Sequence, residues 1–154
     1  MKITSILILS LLCIQLYACK NNNATELINN SNVTANTDTM KIKITIGTNV
    51  FTATLQNNAT VTAFKANLPM TLNMNELNGN EKYFDLTNNL PVNASNPGTI
   101  HAGDLMLYGS NTLVLFYKTF STSYSYTRLG SVDNPSSLAI ALGSGNVKVG
   151  FELE

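Results

Sequence analysis

Lys41-Ile42-Lys43-Ile44-Thr45-Ile46 alternates polar and apolar residues without a fault, and Val147-Lys148-Val149-Gly150-Phe151-Glu152-Leu153-Glu154 does the same at the far end of the chain. Successive side chains of a strand point to opposite faces, so strict alternation marks a strand with one wet face and one buried face. Two such strands at opposite ends of a domain suit a sheet that closes on itself, first strand against last. Working inward, Gly47-Thr48-Asn49 is turn chemistry and residues 50–55 read as the hairpin partner. Asn57-Asn58 supplies an N-cap, and Val61, Phe64 and Leu68 fall at i, i+3 and i+7 on a helix that Pro69 stops.

Residues 70–77 alternate weakly, Asn78-Gly79-Asn80 is a turn, and 82–86 is a short strand. A polar loop with Pro91 and Pro97 spans 88–98. Residues 105–108 and 112–117 are strands joined by Gly109-Ser110-Asn111. The second is apolar without alternation, which predicts burial on both faces. Residues 121–125 are a small-polar loop, and 126–132 resume strand character. Asn134-Pro135 reads as an N-cap with Pro at the first helical position, Leu138, Ala141 and Leu142 form the buried side, and Gly143 ends that helix. The expectation is an all-β closed barrel of about eight strands capped by two short helices, over residues 40–154.

The chain has 154 residues, with 9 Lys and Arg against 9 Asp and Glu and only 12% charged residues. A nucleic-acid binder is excluded, because phosphate neutralisation needs clustered cations. Polarity comes instead from 22 Asn and 18 Thr. The N-terminal end has a different texture. Lys2 precedes an apolar run over 6–16, shorter than the ~20 residues that span a bilayer, which suits a signal-peptide core over residues 1–18. Leu16-Tyr17-Ala18-Cys19 resembles the bacterial lipobox, in which the Cys becomes the lipidated first residue. An ordinary secretory signal with an incidental Cys is the alternative. The lipobox reading makes Cys19 the lipidation site and a membrane the first partner, placing the domain in the bacterial cell envelope outside the cytoplasm. Cys13 lies in the removed segment, so no thiol is left for a disulfide or a metal. Residues 19–39 are Asn- and Thr-rich with few large aliphatics, which reads as a disordered tether, or as a short helix over 24–30.

Phe51-Thr52-Ala53-Thr54-Leu55 followed by Thr62-Ala63-Phe64 resembles the second strand and first helix of cyclophilins. Gly103-Asp104-Leu105-Met106-Leu107-Tyr108 and Leu129-Gly130-Ser131-Val132 look like later barrel strands. Thr71-Leu72-Asn73-Met74-Asn75-Glu76-Leu77-Asn78-Gly79-Asn80-Glu81-Lys82-Tyr83-Phe84 and residues 115–130 are similar to stretches of the bacterial cyclophilin-like domain family. The resemblance covers 40–154 and implies a closed eight-stranded barrel with two capping helices. It does not carry the isomerase residues. True cyclophilins place an Arg in an F-H-R-x-I-like segment after the first helix, whereas 70–86 here contains neither Arg nor His. Their Gln-Gly-Gly segment is absent, and the chain has no Trp.

Candidate chemistry is sparse. His101, the sole His, stands three residues before Asp104; the pair reads as an acid–base couple or as a loop His beside a turn-bonding Asp. Nothing in the domain offers a metal-ligand spacing, and no cofactor is expected. Glu76, Glu81 and Asp85 lie close in sequence, and at strand spacing Glu81 and Asp85 share a face. Gly143-Ser144-Gly145 follows a helix and so reads as a cap and turn, not a phosphate cradle. The densest polar–aromatic grouping is Tyr124, Tyr126 and Arg128, which alternate, with Lys118 and Glu81 as neighbours. These residues read as a binding face, or as tyrosines covering the barrel mouth. The leading expectation is a non-catalytic module that binds a ligand, a peptide or a protein; a degenerate prolyl isomerase or another small enzyme is the alternative.

Overall fold

The structure is a computed structural model, and it describes residues 40–154. The expected signal segment, Cys19 and the Asn/Thr-rich stretch to residue 39 lie outside the described residues. The chain order is β1 (Lys41–Ile46), β2 (Asn49–Leu55), α1 (Ala59–Lys65), β3 (Met70–Leu77), β4 (Glu81–Asp85), β5 (Thr99–Ile100), β6 (Asp104–Tyr108), β7 (Thr112–Phe116), β8 (Phe120–Ser121), β9 (Thr127–Val132), α2 (Leu138–Leu142) and β10 (Val147–Leu153). Eight strands close a barrel in the order β1-β10-β3-β4-β7-β6-β9-β2, and β5 pairs with β8 in a separate two-stranded sheet. The neighbours within the barrel are antiparallel, and first meets last with Ile44 opposite Phe151. The fold is thus the all-β closed barrel that the terminal alternation and the family resemblance imply.

The alternation sets the interior. Ile42, Ile44 and Ile46 of β1 and Val149 and Phe151 of β10 are almost fully buried, while Lys43, Thr45 and Glu152 between them are not. The helices leave from opposite ends of the antiparallel pair β2–β9, so each covers a different mouth. Asn58 caps α1 by accepting from the Val61 N–H at 2.9 Å. Phe64 of that helix meets Phe151 edge-on at 6.2 Å. Leu138 and Leu142 of α2 join the same core.

Two details depart from the expected pattern. Leu68 lies beyond α1, which ends at Lys65, although it still packs partly buried against the core. α2 begins at Leu138 with Ser137 as N-cap, three residues after Pro135. Pro135 instead heads a turn, its carbonyl accepting from Leu138 N at 3.0 Å, while the Asn134 side chain accepts from Ser136 N at 3.3 Å. The local bond of Asn134 wins over a longer helix.

Candidate functional site

β7 reads Thr-Leu-Val-Leu-Phe, and its last four residues are all buried. Two cores meet on it. Leu113 and Leu115 face the barrel interior, whereas Val114 and Phe116 belong to a second apolar cluster with Ile100, Met106 and Tyr126. Tyr83 and Phe120 pack against that cluster from the side. The unbroken apolar run in the sequence therefore has the cause inferred for it. The cover on the outer face is the β5–β8 pair and the chain after it.

Beside this outer cluster runs a groove of about 500 Å³, within the ~300–1,000 Å³ range of ligand sites. One wall is the outward register of β4, namely Glu81, Tyr83 and Asp85, continued by Thr112 and Val114 of β7. The other is Tyr108 with Phe120, the hydroxyl residues 121–123, Tyr124 and Tyr126. Its aromatic rings touch in series. Tyr108 meets Tyr124 edge-on at 6.1 Å and Tyr126 at 5.6 Å, and Tyr126 meets Phe116 edge-on at 5.5 Å. Tyr124 remains 61% exposed, whereas Tyr126 is buried. Leu77, Asn78 and Asn80 of the β3–β4 turn close one end. The turn is made possible by Asn78 and Gly79, both at positive φ. The Asn80 backbone carbonyl accepts from Tyr117 N at 2.9 Å, but its buried side-chain Oδ1 meets no donor among the described residues.

Burial, and then the neighbouring Glu76 carboxylate, pushes the Glu81 carboxyl up to about 7. Burial, followed by the Glu81 charge, likewise raises the Tyr126 phenol. On the inner side of the same wall sits a fully buried cation. Lys82 donates to the carbonyls of Gly143 at 2.9 Å and Gly145 at 2.6 Å, and it is ion-paired to Glu76. The Tyr117 hydroxyl donates to both Glu76 oxygens at 2.9 Å. Burial works to raise the Glu76 carboxyl, but the hydrogen bonds from Lys82 and Tyr117, the Lys82 charge and the Gly79 N–H together leave it below the usual range. Burial and Glu76 push the Tyr117 phenol up to about 12. This network ties β3, β4 and the segment after β7 to the connection between α2 and β10. Gly143-Ser144-Gly145 is accordingly a helix end whose carbonyls hold a lysine.

Of the five residues singled out for binding, Glu81, Tyr124 and Tyr126 line the groove together. Arg128 and Lys118 do not line it. Arg128 pairs with the buried Asp104 carboxylate at 2.7 Å, across the β6–β9 register in which Met106 stands opposite Arg128. Asp104 also accepts from His101 N at 2.8 Å, while the His101 ring is exposed and 3.9 Å away. Asp104 is thus engaged by Arg128 and a loop amide.

Sequence reasoning missed Tyr83, Tyr108, Val114, Phe120 and Asn80 as groove residues. Tyr83 had a signal, since it stands between Glu81 and Asp85 in the outward register. Tyr108 and Phe120 had none, because only the folded chain brings their segments together. Among the described residues, no group of three His, Cys, Asp or Glu is placed to hold a metal ion. The groove offers phenols, carboxyls, hydroxyls and apolar rings, and no Lys, Arg or His lines it.

The family described as "Cyclophilin-like family" matches residues 44–152. A search of curated proteins returns no match. A solved structure with a similar fold is the solution structure of a hypothetical protein from Archaeoglobus fulgidus, 18% identical. The likeness covers 75% of this chain and 95% of that one, with a TM-score of 0.57.

Proposed function

Because the chain belongs to the cyclophilin-like family, we propose that its barrel is a binding module, with the outer groove along β4 as the ligand site and Cys19 as a lipid tether to the envelope membrane. The observation that carries the binding reading is the groove itself. It joins a chain of aromatic rings in edge-on and tilted contact to a half-buried carboxyl with no ion pair among the described residues. Rings supply large contact area at low entropic cost, and the polar groups at the rim orient what lies on them. Glu81 to Asp85 spans about 13 Å of strand, at a rise of ~3.3 Å per residue. That length suits an extended peptide segment of three or four residues.

Prolyl isomerisation is less well supported. It requires donors that stabilise the twisted amide more than the planar one. The lone Arg of the chain is held by Asp104 and does not line the groove. The lipobox-like Leu16-Tyr17-Ala18-Cys19 supports the tether. Among the described residues no helix is long and apolar enough to cross a membrane.

The test is a titration of the isotope-labelled protein with a pool of short unstructured peptides, reading backbone amide shifts. The amides of Glu81, Tyr83, Asp85, Thr112 and residues 121–124 are expected to move. Tyr124→Ala, at an exposed position, is expected to keep the fold and weaken binding about tenfold, the ~1.4 kcal/mol of one rim aromatic. Silence of those amides across the pool, or shifts confined to another face, would sink the proposal.

A further inference from the structure

The geometry points to an organic cation as the group this groove selects: an alkylammonium or guanidinium head seated against the exposed rings of Tyr108 and Tyr124, in the groove that Glu81 also lines. The inference rests on the groove being the binding site and adds the chemical class of what it holds.

Two features converge on it. The first is the ring arrangement. Tyr108 is in contact with both Tyr124 and Tyr126, so three phenol rings gather around one stretch of groove with inter-ring distances near 6 Å. Tyr108 and Tyr124 stay 45% and 61% exposed, so ring surface at this stretch is open to a ligand, and the negative face of a phenol ring attracts a cation within about 6 Å of its centre. Plain apolar packing would be served equally by Leu or Phe; here the rings bounding the groove are Tyr83, Tyr108, Tyr124 and Tyr126, with Phe120 alone lacking a hydroxyl.

The second is charge. The ionisable acids of the groove are Glu81 and Asp85, and no cation lines it. Asp85 accepts from Thr112 Oγ1 at 2.7 Å. Glu81 has neither a hydrogen bond nor an ion pair of that kind among the described residues. The groups facing it are Glu76 from β3, Tyr117 from the segment after β7, and Tyr126 from the opposite wall, with Tyr83 and Asp85 sharing its side of β4. Lys82, next in sequence, points into the barrel and is held by Glu76 and two carbonyls. A half-buried carboxyl beside a second carboxylate is costly to ionise. A cation brought by a ligand removes that cost, so binding and Glu81 ionisation reinforce one another. The sign follows: affinity for a cation rises with pH through the region near 7 where Glu81 loses its proton.

The experiment titrates the protein with choline and with 3,3-dimethylbutan-1-ol, which has the same shape without the charge. A second pair is an acetylated, amidated pentapeptide with a central Lys and its norleucine counterpart. Amide shifts of the groove residues are read at pH 8 and pH 5.5, in the protein and in Glu81→Gln. The expected result is at least tenfold tighter binding of the charged member of a pair at pH 8, with the preference shrinking severalfold at pH 5.5 and in Glu81→Gln. Preference within the choline pair alone assigns the cation to a small quaternary ammonium, and within the peptide pair alone to a lysine side chain. Equal binding of charged and neutral members at the groove overturns the cation inference and leaves the groove reading standing. Groove amides unmoved by all four probes overturn both. A charged-over-neutral preference that persists undiminished in Glu81→Gln, or that maps to Glu152 and Glu154, also overturns it.

Discussion

Glu76 and Glu81 are five residues apart, and burial and their neighbours drive their carboxyls in opposite directions. Glu76 is held ionised by Lys82 and Tyr117, so its contribution to stability is present at neutral pH and is lost as pH falls through its lowered value. Glu81, raised to about 7, behaves in reverse. Between the ordinary carboxyl range near 4.3 and about 7, the folded state keeps a proton that the unfolded chain has released, so stability falls as pH rises across that window. Glu81→Gln is therefore expected to stabilise the domain at pH 8, by about 1 kcal/mol once the shift is discounted for solvent screening of a half-exposed carboxyl, and to leave it nearly unchanged at pH 4. Denaturant unfolding of the two proteins at both pH values measures this. An equal gap at both pH values would assign the effect to something other than titration. At this scale the sequence was partly legible. Tyr124, Tyr126 and Glu81 stood out by type and spacing, but the partner of Arg128 did not. Asp104 reaches it only through a strand pairing whose register shifts at Leu105/Met106, and no local pattern announces such a shift.

At the scale of elements, the strand β9 passes so close to β2 that a side chain cannot stand between them at Gly130. A Cβ there would lie 2.3 Å from the Thr54 carbonyl oxygen and 2.9 Å from Leu55 Cα, all of it backbone. Gly130→Ala is expected to destabilise the domain by about 3 kcal/mol by prising apart the β2–β9 seam. Gly145→Ala, where a Cβ would meet nothing within 4 Å, is expected to change stability by less than about 0.5 kcal/mol. Thermal or denaturant unfolding compares them, and similar losses at the two sites would contradict this account of Gly130. The long strands were readable because periodicity reports burial directly: alternation gave β1 and β10 one wet face, and its absence gave β7 two dry ones. The two-residue strands β5 and β8 were not readable, since two residues hold no period. The start of α2 was misjudged because Asn134 and Pro135 suit a turn as well as a cap.

At the scale of the whole chain, the barrel was legible and the groove was not. A closed sheet needs only correct faces and ends, which local patterns carry; the groove needs the β3–β4 turn, the outward residues of β4, Tyr108, Thr112, Val114, residues 120–124 and Tyr126 brought together. Under the proposed tether, Cys19→Ser is expected to abolish lipid labelling and release the protein from membranes, because stable anchoring takes more than one acyl chain and no other apolar run replaces them. Continued sedimentation of the variant with membranes would contradict it. The two-faced wall has a further consequence. Along β4 the odd residues Glu81, Tyr83 and Asp85 face the groove, while Lys82 and Phe84 face inward. Mutation can rewrite one register while the other is conserved by packing, so ligand preference and folding are free to drift on separate clocks. Under that division of labour, a likeness of fold to the archaeal structure at 18% identity requires no shared ligand.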